Sequence, residues 1–234
     1  MQQFGDAFAA ALGLIVSADS GLGEIVALSL RVSASAVVLA LLLGLPLGAL
    51  LALYRFPGRG VAIVGVNALM GLPPVVVGLV VYLMFSRAGP LGVFGLLYSP
   101  GAMIIAQLAL VLPIIAALSR QHIEDLWGEY GDQLRSFGSS RWRAVPTLLW
   151  EGRISLLTVV LAGFGRAIAE VGAVMIVGGN IDHYTRVMTT AISLETSKGD
   201  LPLALGLGVV LLLLSLAVNT GLTLARATTV RQAG

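Results

Sequence analysis

The chain contains no cysteine, a single lysine and two histidines among its 234 residues, and only 11% of the residues are charged. The lack of cysteine excludes disulfides and thiolate metal sites. The two histidines, His122 and His183, fall in polar segments separated by long apolar runs, on opposite sides of them. They cannot meet, so neither a metal site nor a catalytic residue is expected. Soluble domains carry about 25% charged residues, so this chain has too little charge to coat a surface that faces water. No lysine or arginine precedes Arg31, so the basic start of a cleaved signal peptide is missing. There is no internal repeat of the kind that builds many secondary transporters, which leaves that class as the more distant alternative. What the chain has is apolar residues, 57% of the total. It reads as an integral membrane protein of the all-α class.

A helix crosses the hydrocarbon core with roughly 20 apolar residues. Five stretches meet that length, at about 25–53, 61–85, 101–119, 154–179 and 201–225. The N-terminal "FGDAFAAALGLIV" is apolar but short, and is expected to lie as a helix in the membrane interface, with a sixth span as the rival reading. The positive residues fix the orientation. Arg55, Arg59, Arg120, Arg135, Arg141, Arg143, Arg153, Arg226 and Arg231 fall on one side of the spans, and only Arg87, Arg186 and Lys198 on the other. The side with nine is expected to be cytoplasmic, with the N-terminus outside and the C-terminus inside. The whole chain, 1–234, reads as one multi-pass domain of the cell (inner) membrane.

One polar loop stands out, at about 120–153. Leu126, Trp127, Tyr130, Leu134, Phe137 and Trp142 form an uneven apolar stripe near helical spacing, interrupted by Gly138. The pattern suggests two short helices joined at a glycine turn; a solvated loop with a few interfacial aromatics is the plain alternative. Within the fourth apolar run, "FGRAIAEVGAV" places Arg166 and Glu170 four residues apart. Each charge alone costs roughly 3 kcal/mol to insert at mid-membrane. On one continuous helix the two share a face, although arginine before glutamate is the poorer order for pairing. They read either as a buried clamp or as neighbours of a transport path. Pro73 and Pro74 fall inside the second run and predict a kink. Arg31, a turn or two from the outer end of the first run, reads chiefly as a snorkelling side chain.

The loop segment "DQLRSFGSSRWRAV" resembles the EAA loop of ABC-importer permeases. Asp132 stands at the family's glutamate, Gln133 and Leu134 at its two alanines, and Gly138 at its glycine, followed by Ser139, Ser140, Arg141 and Trp142. The departures are the aspartate, the lost alanines, and "LLWE" where the family has Ile-x-Leu-Pro. "GRAIAEVGAVMIVGGNI" and "TRVMTTAISLETSKGDLPLALGLGVVLL" resemble permeases for molybdate, sulfate and tungstate. "LPLGALLAL" and "GLPPVVVGL" fit the same group. The resemblance covers about 25–225, and "AIAEVGAVMIVGGN" with "MTTAISLETSKGD" is most like the tungstate type.

That resemblance implies a type I importer fold and a division of labour. The permease makes the path for a tetrahedral oxyanion, tungstate first, with molybdate or sulfate as the alternative. Separate ATPase subunits hold ATP and magnesium, and an extracytoplasmic binding protein delivers the anion. In agreement, there is no G-x-x-x-x-G-K-[ST] phosphate loop, and Lys198 lies in "TSKGD". No cofactor on this chain and no nucleic-acid partner are expected. The resemblance makes 129–143 the coupling helix, with Glu129, Asp132, Arg135, Gly138, Ser139, Ser140, Arg141 and Trp142 facing the ATPase. For the path, the residues themselves suggest the charge pair Arg166 and Glu170, the mid-span Pro73 and Pro74 as moving parts, and Asn180, Thr189 and Thr190 as weak amide and hydroxyl contacts for an anion. A bare carboxylate would repel a dianion, so Glu170 must be neutralised, protonated or turned away. Five spans enclose little, so the pore is expected between two copies, among membrane lipid, with the two-fold axis along the membrane normal.

Overall fold

The computed structural model describes Gly13 and residues 20–233 of the chain, so the expected interfacial helix at 4–16 lies outside the described residues. Among the described residues the structure is helical, with no strand. The helices run in the order α1 Ser20–Leu53, α2 Arg59–Leu69, α3 Pro74–Phe85, a short 3₁₀ turn at Gly92–Phe94, α4 Pro100–Ser136, α5 Arg141–Glu151, α6 Arg153–Ile168, α7 Gly172–Gly178, α8 Met188–Lys198 and α9 Leu201–Ala233. Among the described residues three of these, α1, α4 and α9, are long and apolar enough to cross a membrane alone. The number rises to five if the interrupted pairs α2/α3 and α5/α6 each count as one span.

Three expectations change. The run at 61–85 is two helices, not one kinked helix. Pro73 is extended at the N-cap of α3 and Pro74 takes its first turn, where a missing N–H costs nothing, and residues preceding proline are steered out of the helical region. The run at 154–179 also breaks, between Ile168 and Gly172. The third run does not stop at the polar boundary. The segment after Ser119 continues α4 unbroken to Ser136, so only the second of the two short loop helices, α5, is separate. At 37 residues and about 1.5 Å per residue, α4 is far longer than the roughly 30 Å hydrocarbon core, and its polar end projects beyond it.

The chain divides into two compact units. The second unit comprises Val37–Leu72, Leu108–Arg166 and the C-terminal residues from Gly221. Here α1 and α4 meet through small residues. A Cβ on Gly44 would lie 2.8 Å from Ile115 Cγ2, and one on Gly48 would lie 2.8 Å from the Ala116 carbonyl and 2.9 Å from the Arg120 amide. Glycines four apart let two backbones approach closely, and the Ser119 hydroxyl fills the gap, its one proton within reach of the carbonyls of Ala116 at 3.2 Å and Gly44 at 3.5 Å. At the polar end α5 folds back onto this pair. Ala144 and Leu148 join Ala49, Leu53 and Ile123 in a buried cluster, flanked by Tyr54, Leu126, Trp127 and Leu134. Gly152 turns the chain by 77° from α5 into α6, with Leu126 Cδ1 2.8 Å from where its Cβ would sit. The expected result for Gly48→Val is a loss of about 1–3 kcal/mol or more, the usual cost of overpacking a closed site, because the atoms in the way include backbone. Gly65→Val is its control, since nothing lies within contact of Gly65. Thermal unfolding of the two variants in detergent, with the unmutated chain alongside, measures the difference.

The first unit comprises the chain up to Ala36, Pro73–Gln107 and Ala167–Thr220. Its centre is the short helix α7, whose Ala173, Val174, Val177 and Gly178 are buried. Gly78 of α3 lies so close that a Cβ there would be 2.7 Å from Ala173 Cα. Gly178 is closed in by Met103, and the Tyr98 amide donates to the Val177 carbonyl at 2.9 Å.

Candidate translocation and coupling sites

Glu170 is the buried carboxylate at the helix break of the first unit. Its side chain is buried, 3% exposed, and Oε1 accepts the Ala173 amide at 2.9 Å. This satisfies one of the donors left open at the start of α7. Its carbonyl accepts the Thr189 hydroxyl at 2.8 Å. With both groups so engaged, the chain leaves the helix at 169–171 and restarts as α7. The helix carrying Arg166 ends at Ile168, so Arg166 and Glu170 do not lie on one continuous helix.

The other path candidates of this unit gather at the same place. Thr190 is fully buried, and its hydroxyl donates to the Val187 carbonyl at 3.0 Å while accepting the Val187 amide at 3.1 Å. A hydroxyl has one proton to give, and those of Thr189 and Thr190 both go to main-chain carbonyls in this conformation. Asn180 sits at φ 50° and donates from Nδ2 to the Thr190 carbonyl at 3.4 Å. Pro74 is near Gly172: its Cβ lies 3.6 Å from where a Gly172 Cβ would be. So Pro73–Pro74, Glu170, Asn180, Thr189 and Thr190 belong to the first unit, and Arg166 to the second.

Two features of this unit escaped sequence reasoning. Gln107 is buried, donates to the Ala167 carbonyl at 3.0 Å, and leaves its Oε1 without a hydrogen-bond partner among the described residues. A glutamine inside "MIIAQLALVL" was the available signal. The other is the 181–186 loop, which the sequence shows only as a polar segment. In fact the Ile181 carbonyl accepts the amides of Tyr184, Thr185 and Arg186, Arg186 pairs with Asp182 at 2.8 Å, and His183 Nδ1 meets Glu24 Oε2 at 2.7 Å. The hydrogen bond to Glu24 and the charges of Asp182 and Glu24 raise the His183 pKa above its ordinary 6.5, against burial and Arg186. Whatever stability this contact adds is present at low pH and is lost as pH rises through the raised value.

The coupling candidates cluster in the second unit. α4 ends in a Schellman turn: the Ser139 amide bonds to the Leu134 carbonyl at 3.0 Å and the Gly138 amide to the Arg135 carbonyl at 2.8 Å. Gly138 takes φ 71°, the left-handed conformation that favours glycine at this place. Ser140 then caps α5 by accepting the Arg143 amide at 3.4 Å. Arg141 is tied back, donating to the Leu53 carbonyl at 3.1 Å. Nearby, Arg59 donates to the Leu51 carbonyl at 2.7 Å and, with Arg120, pairs with Glu124. Arg135 pairs with Asp132 at 3.1 Å and lies over the Trp127 ring at 5.2 Å. Glu129 is exposed.

The apolar stripe of the sequence divides here. Leu126, Trp127 and Leu134 pack on the cluster beneath, whereas Phe137 and Trp142 are 78% and 58% exposed. Trp142 touches the Tyr54 ring edge-on. Trp150, 70% exposed, joins this surface and was not singled out by sequence. A cleft of about 320 Å³ lies beside it, lined by Tyr130, Gln133, Leu134, Phe137, Thr147, Leu148 and Glu151.

Apolar helices of spanning length, a buried carboxylate at a helix break, and a projecting polar end that displays aromatic rings describe a multi-pass membrane protein with a surface suited to a protein partner. Comparison with known proteins narrows this. The chain is 40% identical over 219 residues, covering 94% of its length and 96% of the other, to a tungstate uptake system permease protein of Peptoclostridium acidaminophilum. It is 41% identical over 214 residues, 92% of its length and 90% of the other, to the corresponding tungstate permease of Campylobacter jejuni. A sulfate transport system permease protein of Escherichia coli is more distant, at 28% over 188 residues, 76% and 68% of the two chains. No protein-family model matches. The chain belongs to the family of oxyanion ABC-transporter permease subunits that includes the tungstate uptake permeases.

Proposed function

We propose that this chain is the membrane subunit of a tungstate importer of the cell (inner) membrane. The observation that carries the cargo is the identity of 40% over nearly the full length of a tungstate permease. The more distant likeness to a sulfate permease favours sulfate or molybdate as the second reading. In our reading the chain acts as a dimer within membrane lipid, receives the anion from an extracytoplasmic binding protein, and carries no ATPase site or cofactor of its own. ATP and magnesium sit on a separate subunit that docks on the face formed by Glu129, Asp132, Gly138, Ser139 and Trp142. Ser140, Arg135 and Arg141 hold that face in shape. The hinge at Pro73–Pro74, with Arg166, Glu170, Asn180, Thr189 and Thr190, belongs to the translocation path. The docking face is cytoplasmic in this reading, which the nine arginines on its side of the spans support.

The test is uptake by vesicles that carry the assembled importer and are supplied with the loaded binding protein. ATP-dependent accumulation of tungstate, above that of molybdate and sulfate, is the expected result, and preferential sulfate accumulation supports the second reading. Because the chain has no cysteine, single cysteines report orientation cleanly. Ser139→Cys is expected to react only from the cytoplasmic side and Ser197→Cys only from outside; the reverse pattern overturns the orientation.

A further inference from the structure

A cavity of about 550 Å³ opens in the first unit, walled by the start of α1, the loop at 182–186, α8 and the start of α9. Seven titratable residues face it: Glu24, Arg31, Asp182, His183, Tyr184, Arg186 and Glu195. The three carboxylates are all occupied. Glu24 meets His183 at 2.7 Å, Asp182 meets Arg186 at 2.8 Å, and Glu195 meets Lys198 at 2.9 Å. Two donors are left over. Arg31 forms no ion pair with a described residue, and the Nε–H of Arg186 is buried with no hydrogen-bond partner among the described residues.

A guanidinium carries only donors, and a buried donor without an acceptor is costly enough that native structures rarely keep one without a reason. Arg31 is exposed and thus offers the cavity positive charge and N–H groups with no acceptor among the described residues, while the Nε–H of Arg186 stays within the wall. The matching ligand is small, anionic and rich in acceptor oxygens. We propose that Arg31, in a cavity that Arg186 also lines, forms a receiving site for a tetrahedral oxyanion, the first station of the permease after the binding protein releases its cargo. The three carboxylates around it oppose a dianion and so keep the site weak, while their bonds to His183, Arg186 and Lys198 keep them from filling it. A weak site suits a station that must also let go. The assignment rests on the oxyanion reading above. It also accounts for Arg31, which sequence reasoning took mainly for a snorkelling side chain.

Two measurements test it. In vesicles carrying the complete importer, Arg31→Gln is expected to raise the concentration of loaded binding protein that half-saturates uptake about tenfold, the scale of one lost charge-assisted hydrogen bond. Arg31→Lys is expected to recover most of the loss, and the amount of assembled complex should stay the same in both variants. Separately, a cysteine at Ala27, an exposed residue of the cavity wall, is labelled by a thiol reagent in the complex without binding protein. Millimolar tungstate, molybdate or sulfate is expected to slow the labelling when Arg31 is present and not in the Arg31→Gln background. Unchanged half-saturation in Arg31→Gln, or labelling that none of the three anions slows, overturns the site. Loss of uptake in Arg31→Gln and Arg31→Lys alike, together with loss of assembled complex, assigns Arg31 a structural role and overturns it equally. An unmutated importer that takes up none of the three anions overturns the transport reading instead, and the labelling still decides the site.

Discussion

Glu170→Ala is expected to abolish uptake and to lower the stability of the detergent-solubilised permease by several kcal/mol. Three costs act together. The Ala173 amide loses its acceptor at the start of α7, and an unsatisfied buried donor typically costs about 1–3 kcal/mol. The side chain is 3% exposed, so its removal also leaves a void in a packed site. Finally, α7 is only seven residues long, too short to hold its shape without its caps. Glu170→Gln separates these causes. A glutamine oxygen can still accept the Ala173 amide, so Gln is expected to restore most of the stability. If it restores uptake as well, the negative charge has no part in transport, and the residue serves only the break between α6 and α7. If stability returns without uptake, the charge itself is used. Arg166→Gln, alone and combined with Glu170→Gln, then reads the coupling that their spacing proposes: non-additive losses support one electrostatic unit, and additive losses refute it.

Gly138→Trp should leave insertion and assembly largely intact and reduce ATP-driven uptake by an order of magnitude or more. The left-handed conformation at φ 71° costs a non-glycine residue about 1–2 kcal/mol, too little to unfold the chain. Nothing lies within contact of a Cβ at this position, so the substitution starts into open space, beside the face assigned to the ATPase. ATP hydrolysis that continues without transport is the signature sought. Gly128→Ala is the control: its surroundings are equally open, but it lies inside α4, where alanine is preferred over glycine by about 1 kcal/mol. Normal ATPase binding and normal uptake in Gly138→Trp would show that this turn does not couple the subunits.

The long helices were legible because their cause is local. Twenty or more apolar residues in a row have few other options in a membrane, and α1, α4 and α9 follow directly from their runs. The Gly138 turn was legible for the same reason, since a glycine after a periodic stretch is a helix stop. The length of α4 was not. After Ser119 the chain turns polar but keeps good helix formers such as Gln121, Glu124 and Leu126, so the end of the apolar run and the end of the helix are different events. The break at 169–171 was hidden because its causes are a glutamate bonded three residues ahead and a threonine 19 positions away. α8 was passed over as loop because it is too short to span. That Arg141 also holds the end of α1 was not legible, because only the folded chain brings residues 53 and 141 together.

That last contact also orders events during synthesis. The end of α1 is among the first parts of the protein to leave the ribosome, but its open carbonyls are served late. Glu124, which anchors Arg59 beside the Leu51 carbonyl, follows Arg59 by 65 positions, and Arg141 follows Leu53 by 88. Until α5 has been made, water must satisfy what the arginines later take over. A nascent chain stopped before residue 141 therefore holds a first helix whose end is still unfinished. The translocon or a chaperone has to tolerate that exposed end for more than a third of the protein's synthesis, and the arrival of α5 is the step that releases it.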